Sequence, residues 1–525
     1  MQRALGLFHS HPRWAALLCG AVAATGFEPL HLTLLALLGL TGLIDLVSRA
    51  PTWKAAALIG WLFGVGHFTT GNTWIATAFT YQAAMPVWLG WIAVVLLSFY
   101  LAVYPLLAAV AAWRLGRANL GATILAFAGC WIVSEWLRAW IFTGFAWNPL
   151  AAIALGPFGS PGFASVLPLT GTYALSGIVI LFAGSVLIAL RKGKVNWRGA
   201  VLLLVPIVLL TNPLRLSPSS PAPGNGPAVT LVQPNIPQDQ LNDPAMFPRN
   251  FTRLAALSAP RQPGQQRLLL WPESGVPDYL RDGYPERFYL DNVGADPGIA
   301  RKRLGMIAGP GTVLMTGAVD LEIKDDNAVG ARNVVTAVGS GGDIVGSYAK
   351  AHLVPYGEYL PMRALLTPLG LSRLVPGDID FWPGPGPQTL DLGQWGRPGV
   401  QICYEIIFSG QVVDRAARPQ FLFNPSNDGW FGASGPPQHL AQARLRAIEE
   451  GLPVLRATTT GISAVIEPSG VVRQWVPRHK AGRIDGTIPP ARQATLFAKL
   501  GNKLALVWAT LFLVASVVAS RRSRS

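Results

Sequence analysis

The spacing of apolar and polar residues divides the chain into two regimes. Up to about residue 212 it is a succession of long apolar runs, at 13–27, 30–48, 55–79, 86–112, 119–141, 165–190 and 197–212, and a further run, 502–519, closes it. Each is long enough, or nearly so, to cross a hydrocarbon core about 30 Å thick at about 1.5 Å per residue. Only Phe27-Glu28-Pro29-Leu30-His31 separates the first two, which predicts a helical pair with a very tight turn. Beyond 228 the period shortens. Strand-like runs recur at Ala228–Gln233, Leu268–Trp271, Thr312–Val319, Asn333–Val338, Gly399–Ile402, Phe421–Asn424, Val454–Ala457 and Ser463–Glu467. Helical patterns lie between some of them, at Pro248–Leu257, Pro285–Gly294 and Gln438–Glu450. In the last, Ala441, Leu445 and Ile448 share one face, and Gln442, Arg446 and Glu450 another. Strand-rich segments with helices between them, some runs apolar throughout, predict a layered α/β domain with helix-covered sheets.

The irregular stretches mark the joints. Pro213 to Pro227 holds five prolines with several serines and glycines, which predicts an exposed linker. The expected organisation is a helical membrane domain of seven spans (1–212), a linker (213–227), an α/β domain (228–495), an eighth span (502–519) and a basic tail (520–525). The loop 142–164, with Phe145, Trp147 and Asn148, is too irregular for lipid and is expected to line a protein-covered cavity at the outer interface. The Pro- and Gly-rich excursion 355–398 is a candidate lid or lipid-contacting arm. Glu135 and Arg138, three apart on the preceding span, share a face. Two readings stand for them, a structural ion pair and a hold on a polar headgroup.

Charge sharpens this picture. The 525 residues carry a net charge of +15, with 18 Trp and only 13% charged residues, and the mean hydropathy is +0.36. A basic excess alone would point to nucleic acid, yet residues 213–500 hold 27 of the 42 basic and 24 of the 27 acidic side chains, close to balance. The excess sits in short clusters between apolar runs, which suits a membrane protein and gives no support to a nucleic-acid partner. In an eight-span arrangement Arg3, Arg13, Arg49, Lys54, Arg114, Arg117, Arg191, Lys192, Lys194, Arg198, Arg521, Arg522 and Arg524 all fall on one side, which is then cytoplasmic. The α/β domain lies opposite. No small-residue cleavage site follows the first run convincingly, so it is expected to be retained. The seven histidines form no ligand-spaced cluster, and neither a metal nor a cofactor is expected.

Candidate chemistry centres on three strand ends. Gly399-Val400-Gln401-Ile402 leads into Cys403-Tyr404-Glu405, whereas Cys19 and Cys130, the other two cysteines, lie inside long apolar runs. A free Cys is often just a small buried hydrophobe. Two further segments shift the balance. Leu268-Leu269-Leu270-Trp271-Pro272-Glu273 sets a carboxylate just past a buried strand, and Ser347-Tyr348-Ala349-Lys350 supplies a lysine, with Glu358 eight residues on. A thiol needs a base to become a nucleophile, and a carboxylate in an apolar pocket can be that base. An ammonium beside it favours the thiolate and faces the oxyanion formed on attack at a carbonyl.

These residues resemble those of the nitrilase, or carbon–nitrogen hydrolase, superfamily. The whole chain is more closely similar to the apolipoprotein N-acyltransferase family of Gram-negative bacteria. The likeness runs through Glu135-Trp136-Leu137-Arg138, Phe142-Thr143-Gly144-Phe145-Ala146-Trp147, Val232-Gln233-Pro234-Asn235 and Trp271-Pro272-Glu273. It continues in Lys350-Ala351-His352-Leu353-Val354-Pro355-Tyr356-Gly357-Glu358, Cys403-Tyr404-Glu405, Asn424-Pro425-Ser426-Asn427-Asp428-Gly429-Trp430 and Gln438-His439. The chain departs from the usual pattern at Pro234, where Gly is common, and at Thr459 or Thr460, where Asn is common.

The resemblance implies a membrane bundle of about eight spans carrying an αββα sandwich between the seventh and eighth. It implies Glu273 as general base, Lys350 as oxyanion stabiliser and Cys403 as nucleophile. Glu358, Tyr404 and Glu405 support them, and Trp430, on a mobile arm, stands with Trp147, Glu135 and Arg138 near the lipid. The implied reaction moves an acyl chain from a phospholipid, typically phosphatidylethanolamine, through a Cys403 thioester to the α-amino group of a diacylated apolipoprotein. The implied setting is the bacterial inner membrane, with a monomer whose catalytic domain faces the periplasm. Two rivals share parts of this pattern. One is a membrane-tethered amidase, for which eight spans are excessive; the other is a transporter or receptor, for which membrane-depth charges are sparse.

Overall fold

Apolar runs in the first part of the chain become helices that pack through small residues. The structure, a computed structural model, describes residues 2–81, 86–191, 226–369 and 379–522, with isolated positions between 201 and 208. Most of the seventh apolar run, Lys192, Lys194, Arg198, Arg524, residues 213–225 of the linker and residues 370–378 of the excursion lie outside this description. Among the described residues four helices are long and apolar enough to cross a membrane: Leu89–Gly116, Leu120–Arg138, Gly162–Arg191 and Lys503–Arg522. Pro12–Ala24 and Thr33–Ser48 are shorter apolar helices, and a helix of 19 residues spans Trp53–Gly71. Together they form a multi-pass membrane bundle. Pro12–Ala24 and Trp53–Gly71 meet backbone to backbone: a Cβ on Gly20 would fall 2.0 Å from the Phe63 carbonyl oxygen, and one on Gly66 2.1 Å from that of Leu17. Lipid tails offer little hydrophobic drive between helices, so such close approach supplies the packing. The last helix returns to Leu120–Arg138, where the Ser516 hydroxyl donates to the Ala122 carbonyl at 2.8 Å.

The second half folds into two sheets. The strands are β1 (Ala228–Gln233), β2 (Leu268–Leu270), β3 (Val313–Lys324), β4 (Asn327–Gly339), β5 (Ile344–Ala349), β6 (Pro398–Val400), β7 (Phe421–Ser426), β8 (Val454–Thr458), β9 (Ser463–Ile466), β10 (Val472–Val476) and β11 (Gly482–Thr487). One sheet runs β11-β1-β2-β3-β4-β5 and the other β10-β9-β8-β7-β6. Their inner faces share a core that includes Val229, Leu231, Leu270, Met315 and Val335 from the first, and Val400, Phe423, Leu455 and Ile466 from the second. Gln233 pins the two sheets together, its Oε1 accepting from the Thr458 hydroxyl and the Ser463 N–H, both at 2.9 Å.

Helices cover both outer faces. Leu254 of Phe247–Leu257, with Ala300, Leu304 and Ala308 of Pro297–Ala308, seals the six-stranded sheet against Leu269, Leu314 and Val334. The five-stranded sheet receives Leu440, Ala443 and Ala447 of the helix Gly435–Glu450. The opposite face of that helix, with Ala441, Leu445 and Ile448, packs into the core of the membrane bundle. Buried polar side chains fix this joint: Arg446 Nη2 donates to the Thr172 hydroxyl at 2.5 Å, and Glu449 Oε1 accepts from the Thr172 N–H at 2.6 Å.

Some elements differ from the pattern in the sequence. Pro285–Gly294 forms two short turns, Glu286–Tyr289 and Val293–Ala295, instead of a helix. Asn292 bonds both backbone groups of Tyr279, at 2.8 and 2.9 Å, and Gly294 takes a φ of 69°. These side-chain bonds hold the segment where a helical ladder would otherwise do so. Strands β3 and β4 extend well past their apolar cores into a hairpin, turned by Asp325 and Asp326 at φ 49° and 60°.

Candidate active site

Three strands deliver their carboxyl ends to one edge of the sandwich. After β2, Trp271 and Pro272 turn the chain to Glu273; the turn is closed by the Gly317 N–H donating to the Pro272 carbonyl at 3.2 Å. A Cβ on Gly317 would lie 2.5 Å from the Ser274 nitrogen, so only glycine permits this approach. Lys350 follows β5 directly, and its N–H donates to the Asn333 carbonyl at 2.9 Å. Cys403 begins the short helical turn Cys403–Ile407 after β6, at a φ of 51° that a residue with a Cβ rarely adopts.

The polar groups interlock. Glu273 is buried; its Oε1 accepts from Asn333 Nδ2 at 2.8 Å and lies 3.6 Å from Lys350 Nζ, and its Oε2 accepts from the Asn427 N–H at 2.7 Å. Lys350, 1% exposed, donates to Glu358 Oε1 at 2.9 Å. Asn333 also donates to Glu358 Oε1 at 3.0 Å, and Glu358 Oε2 accepts from the Val354 N–H at 2.8 Å. Burial alone would discharge Lys350, but the carboxylates of Glu358 and Glu273, with Cys403, more than offset this and hold it above its ordinary range. The Cys403 thiol is pushed well up, first by burial and then by the Glu273 charge; Lys350 and the Asn427 N–H pull it down.

Glu405 ties the lysine strand to the Cys403 turn. Its Oε1 accepts from the Tyr348 hydroxyl at 2.8 Å and from the N–H groups of Ala351 and His352 at 2.7 and 3.1 Å; its Oε2 accepts from the Ile402 N–H at 2.7 Å. Tyr404 reaches the membrane bundle, donating to the Gly144 carbonyl at 3.3 Å. Glu135 accepts from the Leu150 N–H at 2.8 Å, and Arg138 donates to the Trp147 carbonyl at 2.8 Å. Both are buried, 3.8 Å from each other, and both hold the loop after their helix. Trp147 is fully buried, donating to Gln438 Oε1 at 2.8 Å and packing on Trp74. Trp430 is half-buried, edge-on to Tyr81 at 5.8 Å.

Sequence reasoning missed Asn333 and Asn427, which position Glu273, and passed over the roles of Asn424, Asp428, His439 and Arg456 beneath Cys403. Asn333 stands next to Arg332 at the polar start of the run Asn333–Val338, so nothing in the sequence marked it out. The two unusual threonines serve the same loops: Thr459 donates to Asn427 Oδ1 at 2.8 Å, and Thr460 to Asn235 Oδ1 at 2.7 Å.

Comparison with known proteins covers both halves. Residues 19–185 match the apolipoprotein N-acyltransferase N-terminal domain, and residues 228–495 match the carbon-nitrogen hydrolase family. The chain is 32% identical over 526 residues to the apolipoprotein N-acyltransferase of Rhodopseudomonas palustris, across 96% of this chain and 95% of that one. It is 33% identical over 522 residues to the apolipoprotein N-acyltransferase of Bradyrhizobium diazoefficiens, across 96% and 94%. Among solved structures, an amidase variant from Nesterenkonia, of the nitrilase superfamily, aligns with 55% of this chain and 100% of its own at 19% identity and a TM-score of 0.38. With relatives matched over nearly their full length, the chain belongs to the apolipoprotein N-acyltransferase family.

Proposed function

We propose that the protein moves an acyl chain from a phospholipid to the N-terminal α-amino group of diacylglyceryl-cysteine lipoproteins, through a thioester on Cys403. The observation that carries this reading is the meeting of Glu273, Lys350 and Cys403, from three separate strand ends, in one buried site joined to a membrane bundle. The thiol held above its ordinary range favours deprotonation in step with attack over a standing thiolate.

In the first half-reaction Glu273 takes the thiol proton and Cys403 Sγ attacks the ester carbonyl. Lys350, kept charged by Glu358 and Glu273, faces the oxyanion. Collapse breaks the ester bond, and Glu273 returns the proton to the departing lysophospholipid alkoxide. In the second, the lipoprotein amine attacks the thioester, loses a proton to Glu273 and leaves as an amide, while the proton passes back to the thiolate. Glu358 and Asn333 fix Lys350 and Glu273; Glu405 and Tyr404 fix the turn that carries Cys403.

Both substrates bring acyl chains that cost about 0.8 kcal/mol per CH₂ to expose to water, so a lateral entrance from the bilayer is required. Trp430 is assigned to that entrance, with Trp147, Glu135 and Arg138 supporting the loop beside it. The arrangement is a monomer with eight spans and the α/β domain on the periplasmic side of the inner membrane, with phosphatidylethanolamine as donor. The test is incubation with phosphatidylethanolamine vesicles and a diacylglyceryl-cysteine peptide. N-acylated peptide and lysophospholipid should appear in equal amounts; free fatty acid with no N-acylated peptide would make water the acceptor and overturn the reading.

A further inference from the structure

Below the nucleophile lies a polar cluster that no step of the reaction uses. His439, Arg456 and Asn424 are completely buried, and Asp428 nearly so. We infer that His439 is a positioning residue for Cys403: its Nε2–H, with the Asn424 amide, holds the Cys403 carbonyl and so keeps the nucleophile in its left-handed backbone conformation. The inference rests on Cys403 being the nucleophile.

The hydrogen bonds define the arrangement. His439 Nε2 lies 3.0 Å from the Cys403 carbonyl oxygen, which can only accept, so this nitrogen carries the proton. In a neutral ring Nδ1 then accepts, and Arg456 Nη2 donates to it at 3.0 Å. Burial and then the Arg456 charge hold His439 below the usual imidazole range, outweighing the opposing pull of Asp428, in keeping with that neutral tautomer. The same Nη2 lies 2.8 Å from both Asp428 oxygens, which share one of its hydrogens, and Asp428 Oδ1 also lies 3.1 Å from His439 Nδ1. Arg456 Nη1 donates to Asn424 Oδ1. This fixes the amide so that its Nδ2 faces the Gln401 carbonyl at 2.6 Å and the Cys403 carbonyl at 3.4 Å. One guanidinium thus orients two donors onto one carbonyl.

That carbonyl belongs to the residue whose φ is 51°. Without a fixed carbonyl, Cys403 can relax toward the common backbone regions and turn its thiol away from the Asn427 N–H, Glu273 and Lys350. Asp428 also opens the turn Asp428–Phe431 that holds Trp430, so the cluster registers this turn to the nucleophile.

The test compares two amides that differ in reach. The nitrogen of Gln overlies imidazole Nε2 and that of Asn overlies Nδ1, so His439→Gln keeps the donor to Cys403 and His439→Asn removes it. Full-length protein is treated with a small uncharged haloacetamide, and alkylation of Cys403 is timed by peptide mass; single-turnover acylation by phosphatidylethanolamine is timed alongside. His439→Gln should stay within about 3-fold of wild type in both rates, and His439→Asn should fall by about 30- to 100-fold, the size of a misplaced reacting group. KM for the donor should be unchanged in both, since His439 touches no substrate. Equal rates for the two variants, whether both fast or both slow, would overturn the inference, and comparable melting temperatures separate positioning from folding. If the wild type itself forms no acyl adduct at Cys403, the nucleophile assignment fails independently of His439.

Discussion

At the active site the charged residues differ in what a substitution removes. Glu273→Gln keeps the shape and one acceptor oxygen but cannot take a proton. It also removes the charge that, after burial, holds the Cys403 thiol up. Single-turnover acylation should therefore collapse near neutral pH and recover in part as the pH approaches 9. Lys350→Met removes the charge proposed to face the oxyanion, which hydroxide does not replace, and should lose about 10²- to 10³-fold, roughly 3 kcal/mol, at every pH from 6 to 9. Full recovery of the lysine variant with none in the glutamate variant would exchange the two roles. Glu405 makes a separate prediction. Burial outweighs its four donors and Lys350 and raises it to about 7. The folded protein then keeps this proton over a range where the unfolded chain, near 4.3, has lost it, so stability falls as pH rises between those values. Glu405→Gln lacks that slope, and the gap between its melting temperature and that of wild type should narrow from pH 5 to 8. A gap constant across that range would place the carboxyl in its ordinary range.

Elements with continuous apolar runs could be read from the sequence, and those without could not. β1 matches its run residue for residue. β5, β10 and β11 lie at or next to the edges of the sheets with mostly exposed or half-exposed side chains, so no run announces them. Glu273 and Cys403 were legible because each stands just past an apolar strand with unusual chemistry for its surroundings, whereas Lys350, past an unannounced strand, was legible through the family resemblance of Lys350–Glu358. Asn333, Asn424 and His439 were not, because their roles come from chain segments brought together only by the sheets. Helix packing was equally silent, and it carries a prediction. Gly66→Ala drives a Cβ into the Leu17 carbonyl, backbone that cannot step aside, and should destabilise the protein by about 3 kcal/mol. A Cβ on Gly159 meets nothing within 4 Å, so Gly159→Ala serves as the neutral control. Equal melting temperatures for the two variants in detergent would refute the close helix contact.

In the whole molecule a lipid-facing bundle and a hydrolase-like sandwich meet along the helix Gly435–Glu450, which serves both cores. The orientation proposed from the basic clusters can be tested. Reporter fusions near 117 and 194 should read as cytoplasmic, and those near 155 and 300 as external; a cytoplasmic position 300 would separate this domain from exported lipoproteins. The central claim is that one thiol carries the acyl chain between two lipid substrates. It is tested most directly by the intact mass of the protein after incubation with a phospholipid donor alone, with the adduct located by peptide mass. The wild type, and the protein with Cys19→Ala and Cys130→Ala together, should gain one acyl chain on the peptide containing Cys403 and lose it on adding a diacylglyceryl-cysteine peptide. Cys403→Ala should gain none. An acyl adduct that persists in Cys403→Ala, or that sits on any other residue of the wild type, would contradict the account.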